Sequence, residues 1–291
     1  MKVKLSFLPT LFAVFFFSFT TSAQEENAAD STGLPGDHFS LEGALELFKK
    51  AESPEDFEKL LNTESNSVNN LDLNEDGETD YIRVVDNMDN EVHAIVLQIA
   101  VSEDESQDIA VIEIEKQGDE NALLQIIGDE NIYGEQIIVE PFEEGAKSAK
   151  GGGGPAADYE FDRVVVNVWG WPCVRFVYAP SYRAWVSPWR WRLYPAWWSP
   201  WRPHPWGVFR VRVAPFRPHY HMVTTHRVVR AHKVYTPRRS HSKVVHTRTT
   251  TVVKNRKGQT VGKRTTTKTT VQGKRGRVTT KKTTTKARRR G

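Results

Sequence analysis

The chain has 291 residues, with 40 Lys and Arg, 36 Asp and Glu, and one cysteine. Its formal net charge of +4 hides a division: residues 24–150 carry 33 acidic and 7 basic side chains, whereas residues 151–291 carry 3 acidic and 31 basic ones. Because ordinary globular surfaces mix both signs of charge, this division excludes a single domain of average composition. A disulfide-stabilised scaffold is also excluded, since Cys173 has no partner within the chain.

The N-terminal residues have the organisation of a secretory signal peptide. Lys2 and Lys4 precede an apolar run at residues 5–19, and small residues follow at 21–23. We therefore predict a signal peptide over residues 1–23 and a mature chain in the periplasm, the cell envelope or the medium. A membrane anchor is the alternative, but the apolar run is shorter than the roughly 20 residues that cross a bilayer. No later run is long and apolar enough to do so.

The acidic half predicts a small α+β domain over residues 38–145, after a polar linker at 24–37. Apolar residues at helical spacing after Ser40 and after Ser53 predict two helices. Five β-branched runs separated by polar turns predict an antiparallel meander, over residues 81–86, 92–101, 109–115, 123–127 and 136–139. We expect the two helices to pack on this meander, and this half to fold without the rest of the chain.

One nine-residue motif in the acidic half, at residues 72–80, has the composition of a calcium loop. Oxygen-bearing side chains occupy its first, third, fifth and ninth positions, and glycine occupies the sixth. Ca²⁺ takes about six to eight oxygen ligands, which these side chains and the carbonyl of the seventh residue could supply. The candidate ligands are Asp72, Asn74, Asp76, Glu78 and Asp80. The alternative is an Asp/Asn/Gly-rich turn that leads into a strand.

The motif resembles the calcium loops of EF-hand, dockerin and FG-GAP repeat proteins. It departs from the EF-hand at the twelfth position, where Arg83 stands in place of a bidentate glutamate. Residues 81–85 are strand-like, which matches FG-GAP-type loops, whereas an EF-hand leaves its loop in a helix. The resemblance implies bound Ca²⁺ of modest affinity.

A glycine-rich linker at 146–158 precedes a Trp/Arg/Pro-rich segment at 159–220, which contains all nine tryptophans. We predict two short strands in this segment, at 162–169 and 174–178, and irregular backbone after them because proline recurs. Three interpretations remain open for the tryptophans. They could form a stacked structural pad, an interfacial surface for anionic lipid or lipopolysaccharide, or a surface that stacks on carbohydrate.

Residues 221–291 form a basic tail rich in His, Thr, Lys and Arg. Its last 45 residues contain 15 Thr, 16 Lys or Arg and an imperfect 18-residue repeat. The few apolar residues of this segment cannot bury enough surface to offset the conformational entropy lost on folding. We therefore predict a largely disordered, low-complexity tail with transient hairpins. His219 and His221 would share one strand face and are a candidate pair for Zn²⁺ or Cu²⁺, although no carboxylate is near them in the sequence. A solvated basic stretch is the alternative.

The sequence contains no catalytic signature, so we predict a protein that is not an enzyme. We expect an exported envelope protein with a calcium-binding head and a basic arm for anionic polysaccharide, lipopolysaccharide or anionic lipid. The expected contacts to that partner are Arg190, Trp191, Arg192, Trp201, Arg202, Lys263, Arg264, Lys281 and Lys282. An extracellular nucleic-acid-binding protein and an enzyme of unknown class are the alternatives.

The opposite net charges of the two halves predict an intramolecular contact between the head and the basic half. We expect that contact to be exposed and screened by salt. The chain as a whole resembles exported bacterial envelope proteins, and this resemblance implies no particular activity.

Overall fold

The computed structural model describes residues 31–143, 164–242, 247–254, 260–272 and 278–288. The predicted signal peptide and the glycine-rich linker lie outside these residues, as does residue range 24–30 of the first linker. In chain order the helices and strands are α1 (Leu41–Lys50), α2 (Pro54–Leu61), β1 (Ile82–Asp89), β2 (Val92–Ala100), β3 (Ser106–Lys116), β4 (Ala122–Gly128), α3 (Glu130–Tyr133), β5 (Ile137–Glu143), β6 (Val164–Val165), α4 (Pro172–Val177), α5 (Trp206–Val213), β7 (Tyr220–Val223), α6 (Val229–Tyr235), β8 (Thr247–Lys254), β9 (Thr260–Gln272) and β10 (Val278–Arg288).

Serine side chains cap the first two helices. The Oγ atom of Ser40 accepts a hydrogen bond from the backbone N–H of Gly43 at 3.0 Å, and α1 begins at the next residue. The Oγ atom of Ser53 accepts from the N–H of Asp56 at 3.1 Å, and Pro54 is the first residue of α2. Each cap satisfies a backbone donor that has no partner within its helix.

The main sheet is an antiparallel meander in the order β1-β2-β3-β4-β5, and β6 and β7 both pair with β5. Ile138 of β5 pairs with Ile127 of β4 and with Val223 of β7, so a strand from the basic half completes this end of the sheet. The predicted α+β class with an antiparallel sheet is confirmed.

One face of the sheet carries the largest hydrophobic core. Helices α1 and α2 contribute to it, and α4 packs against α1. Residues on both sides of the predicted linker at 146–158 build this core, and the described residues from Ser31 onward belong to one unit. The buried contributions from beyond the linker are Val168, Trp171, Cys173, Val174, Val177 and Tyr220.

The opposite face of the sheet is covered by α6, which packs against β1, β2 and β3. Tyr235 of α6 is buried among Val96, Val111 and Ile127 of the strands. The sheet is therefore buried on both faces. Residues 221–242, which the sequence assigns to a largely disordered tail, form β7, α6 and the segment that follows α6.

The Trp/Arg/Pro-rich segment differs from its prediction in two places. Residues 174–178 were expected as a strand, but Pro172–Val177 form α4, because a proline at the first helical position has the φ angle that a helix needs. The expected strand at 162–169 is reduced among the described residues to Val164–Val165. The proline-free run Trp206–Val213 forms a further helix, α5, within the region predicted to be irregular.

The last three strands form a second antiparallel sheet in the order β10-β9-β8. The sequence predicts transient hairpins here within a largely disordered tail, and the three strands lie on either side of the two predicted turns. Thr266 of β9 pairs with Thr249 of β8 and with Thr284 of β10, and paired β-branched residues favour such ladders. The residues between the strands, where the hairpin turns are predicted, lie outside the described residues. In the part of the chain that the structure describes, no helix has the length and apolarity needed to cross a membrane.

Candidate functional site

The side chains of the predicted calcium loop turn towards the backbone of the loop itself. The carboxylate of Asp72 accepts from the N–H groups of Asp76 at 3.1 Å and Gly77 at 2.9 Å. Asn74 Oδ1 accepts from Asp76 N at 2.9 Å, and Asp76 Oδ1 accepts from Glu78 N at 3.0 Å. Gly77 has a φ of 86°, a left-handed conformation that favours glycine. The loop thus has the tight turn that its sequence predicts.

Asp80, the ninth residue of the loop, is a buried carboxylate. Its Oδ2 accepts from Leu73 N at 2.5 Å and its Oδ1 accepts from Asn74 Nδ2 at 2.9 Å. Burial, together with the nearby charges of Asp72 and Asp76, raises the pKa of Asp80 well above its usual range. A divalent cation would offset this accumulation of negative charge, so the donor set and its electrostatics fit Ca²⁺. The predicted ligand from the exposed residue Glu78 is its backbone carbonyl.

The predicted calcium loop lies against the Trp/Arg/Pro-rich segment. The N–H of Thr79 donates to the carbonyl of Trp201 at 2.7 Å. The ring of Tyr81 meets Trp198 edge-on at 5.1 Å between centroids, and Tyr194 at 5.7 Å. The structure therefore joins the predicted calcium loop to part of the predicted anion-binding set, an association that local sequence patterns do not reveal.

We define the Trp/Arg loop as residues 189–202. The predicted contacts Arg190, Arg192 and Arg202 are exposed there, and Trp191 and Trp201 are partly buried. The Arg192 guanidinium lies 5.7 Å from the centre of the Trp191 ring. Leu193 is 56% exposed and Trp197 is 49% exposed in the same loop. The other predicted contacts lie on two paired strands, with Lys263 and Arg264 on β9 and Lys281 and Lys282 on β10.

Most of the tryptophans are at least partly buried. Trp171 and Trp198 are buried, six others are partly buried, and Trp197 is exposed. This distribution favours a packed aromatic layer for most of them. Trp197 is the tryptophan with the largest face available to a partner.

The predicted metal pair does not form a cluster of metal ligands, whereas another pair of histidines does. His219 is exposed in a 3₁₀ turn, and the ring of His221 packs on Phe142 with 3.7 Å between centroids. Among the described residues, the cluster with suitable spacing consists of Glu113, His226 and His232. The carboxylate comes from β3 and both imidazoles come from the basic half. The spacing of these three residues in the sequence does not indicate a metal site.

Buried acids on the α6 side of the sheet bind the segment 225–242. Arg227 Nε and Arg230 Nε each lie 3.1 Å from a carboxylate oxygen, of Glu140 and Glu115 respectively. Asp108 accepts from the hydroxyl of Tyr235 at 3.0 Å, and burial raises the pKa of Asp108 to about 6. The acids are buried and the contacts are directional, although the side chains of Arg227 and Arg230 are 36% and 55% exposed. The charge division predicts a more exposed and salt-screened contact.

A second histidine–carboxylate pair is enclosed. His93 Nδ1 lies 2.8 Å from Asp86 Oδ2, and the hydroxyl of Tyr182 donates to the same oxygen at 2.9 Å. His93 is 1% exposed and Asp86 is 3% exposed. A substrate has no direct access to such a pair, so we assign it a structural role.

A search of protein-family models, of curated proteins and of solved structures found no match to this chain. The functional interpretation therefore rests on the residues themselves.

Proposed function

We propose that this is a non-enzymatic exported envelope protein that binds an anionic surface through the Trp/Arg loop and the basic C-terminal strands. The head consists of the α1–α2 pair, the meander and the segments packed on them. The observation that supports the proposal is the 2.7 Å hydrogen bond from Thr79 N to the Trp201 carbonyl. It attaches the Trp/Arg loop to the predicted calcium loop.

The Trp/Arg loop has the two kinds of side chain that an anionic interface binds. Exposed Arg190, Arg192 and Arg202 can pair with phosphate or carboxylate groups. Exposed Leu193 and Trp197 can enter the apolar boundary of a lipid layer beside those groups. Anionic lipid, lipopolysaccharide and acidic polysaccharide all present such anions, and the first two also offer an apolar phase.

The calcium loop would control this contact through charge and position. Five carboxylate side chains at residues 72–80 lie next to a loop that should meet an anionic partner. Their charge repels that partner, so a bound cation favours association. When bound, Ca²⁺ neutralises part of this charge, held by the side chains of Asp72, Asn74, Asp76 and Asp80 and by the Glu78 carbonyl. The Thr79 N–H keeps Trp201 in place.

The C-terminal strands would add a less specific attraction. The last 45 residues carry 16 Lys or Arg, and each basic residue near an anionic membrane contributes about 1 kcal/mol of binding free energy at low salt. Lys263, Arg264, Lys281 and Lys282 belong to this group. Their contribution should fall steeply as salt rises.

Sedimentation with lipid vesicles tests the proposal on the mature chain, residues 24–291. We expect binding to vesicles of phosphatidylglycerol, weak binding to phosphatidylcholine, and competition by lipopolysaccharide. Millimolar Ca²⁺ should strengthen binding and a chelator should weaken it. Trp197→Ala and Arg192→Gln should reduce binding with little loss of thermal stability, because Arg192 is exposed and about half of Trp197 is exposed.

A matched pair of variants tests the calcium part. Asp76→Ala removes a predicted ligand, and Glu75→Ala removes one carboxylate from a position that is not a ligand. Only Asp76→Ala should abolish a rise in melting temperature with Ca²⁺. If millimolar Ca²⁺ does not move the melting temperature of the unmodified chain, the ion site is refuted.

The surface-binding proposal is refuted if Trp197→Ala and Arg192→Gln bind phosphatidylglycerol as the unmodified chain does. Preferential displacement of the protein by double-stranded DNA would favour the nucleic-acid alternative.

A further inference from the structure

Glu113 is a buried carboxylate whose hydrogen-bonding partners are two imidazoles. It lies on β3, and its side chain has 0% exposure. His226 Nε2 lies 2.6 Å from Glu113 Oε2, and His232 Nδ1 lies 2.8 Å from Glu113 Oε1. The ligand atoms of the three residues are all within 4.8 Å of one another. A buried carboxylate needs partners for its oxygens, and here one imidazole contacts each oxygen.

We propose that Glu113, His226 and His232 form a binding site for a divalent transition-metal ion such as Zn²⁺. Two imidazole nitrogens and one carboxylate oxygen are donors that Zn²⁺ and related ions favour, whereas Ca²⁺ and Mg²⁺ favour oxygen alone. Three protein ligands leave a coordination position for water or for an atom of another molecule. This site does not depend on the proposed surface binding.

Protons hold the same geometry when the metal is absent. In that state each imidazole N–H donates to one oxygen of Glu113. A metal ion binds imidazole through an unprotonated nitrogen, so the proton that bridges each imidazole to Glu113 must leave that nitrogen, either to the other nitrogen of the ring or to solvent. The competing interpretation is a structural hydrogen-bonded cluster that binds no metal.

The ligands need to separate only slightly to admit an ion. Two ligand atoms at the Zn²⁺ bonding distance of about 2.0–2.2 Å lie roughly 3.3 Å apart in a tetrahedral site. The His–Glu distances of 2.6 and 2.8 Å must therefore grow by about 0.5–0.7 Å. The side chains of His226 and His232 are 20% and 31% exposed, so they can move outward while Glu113 stays fixed in the sheet. The same exposure gives the ion an entry route.

Two of the cations near the histidines are paired with carboxylates of their own. Arg227 pairs with Glu140 and Arg230 pairs with Glu115, and Lys233, which follows His232, is exposed to solvent. The backbone N–H of Arg230 also donates to Glu115 at 2.6 Å. That bond fixes the first turn of α6, and with it the position of His232, against the strand that carries Glu113.

Calorimetric titration of the tag-free mature chain, stripped of metal by a chelator, tests the proposal. We expect one Zn²⁺ ion per chain at this site. Substitution of Co²⁺ should give the visible bands of a site of low coordination number with nitrogen ligands. Loss of a ligand should cost more than loss of an outer-shell partner, which weakens metal binding by about 10–100-fold. His226→Ala and His232→Ala should therefore each weaken Zn²⁺ binding at least about 100-fold.

His221→Ala is the matched control, because this histidine lies in the same part of the chain but packs on Phe142. It should leave Zn²⁺ affinity unchanged, as should Asp76→Ala in the calcium loop. Both ligand histidines are partly exposed, so their variants should fold, and thermal unfolding in chelator checks this. Glu113→Gln, once shown to fold, should lose affinity as the histidine variants do. The proposal is overturned if Zn²⁺ does not bind, or if it binds His226→Ala and His232→Ala as tightly as it binds His221→Ala.

Discussion

Truncation of the chain after Glu143 is expected to abolish cooperative folding of the acidic half. The main core contains five large side chains from later in the sequence: Val168, Trp171, Val174, Val177 and Tyr220. Full burial of such a side chain stabilises a fold by about 1.5–3 kcal/mol, so their removal costs roughly 8–15 kcal/mol. That is comparable with the whole stability of a typical domain, about 5–15 kcal/mol. The truncated half should therefore lose its fixed tertiary structure.

Urea unfolding followed by far-ultraviolet circular dichroism measures this effect. The fragment 31–143 should unfold over a broad range without a cooperative transition. The fragment 31–242 is the control, because it keeps α4, β7 and α6 and lacks only β8–β10, and it should unfold cooperatively. A sharp transition of the fragment 31–143, with a midpoint close to that of 31–242, would refute this reasoning and would support the independent acidic domain expected from the sequence.

Three further predictions concern packing, pH and salt. Gly128→Ala would place a Cβ atom 2.6 Å from the Tyr133 ring and should destabilise the fold by about 1–3 kcal/mol in urea unfolding, whereas Gly170→Ala, which meets nothing within 4 Å, should be neutral. Burial raises the pKa of Asp108 from 3.8 to about 6, so the stability from its protonated form is complete below about pH 4 and is lost as the pH rises through about 6. The free energy of unfolding should therefore fall by roughly 3 kcal/mol as the pH rises, and Asp108→Asn should remove this fall. Urea unfolding measured between pH 4 and 7 contradicts the prediction if the stability of both proteins depends on pH in the same way. The Ala231 N–H donates to buried Glu115 at 3.1 Å, so its hydrogen exchange should stay slow at high salt; rapid exchange there would favour the exposed, salt-screened contact instead.

The elements that the sequence predicts well are those with local signals. Ser40 and Ser53 are the residues directly before α1 and α2, so the sequence at each helix start is enough to predict it. In the same way, runs of β-branched residues predict the five strands of the meander. The incorrect prediction of a strand in place of α4 has a local cause as well. Val174 and Val177 suggest a strand, but Pro172 and burial against α1 favour a helix.

The histidine–glutamate site could not be predicted because its residues are distant in sequence. Glu113 and His226 are 113 positions apart, and no spacing rule connects them. The division of charge does predict attraction between the halves, but it cannot say which acids are buried or which bases reach them. The predicted calcium loop shows the opposite case. Its candidate donors are close in sequence, whereas the contact of Thr79 with Trp201 requires the fold.

The pairing of early strands with late segments also sets an order for folding during synthesis. During synthesis Glu113 and Glu115 emerge well before their partners, which are more than 100 residues further along the chain. Contacts of such high sequence separation form slowly, and a ribosome adds only about 5–20 residues per second. Until those partners emerge, the charged face of β3 stays hydrated, which opposes collapse of the apolar strands beside it. The half that is made first therefore stays open and soluble until the half that is made last closes over it.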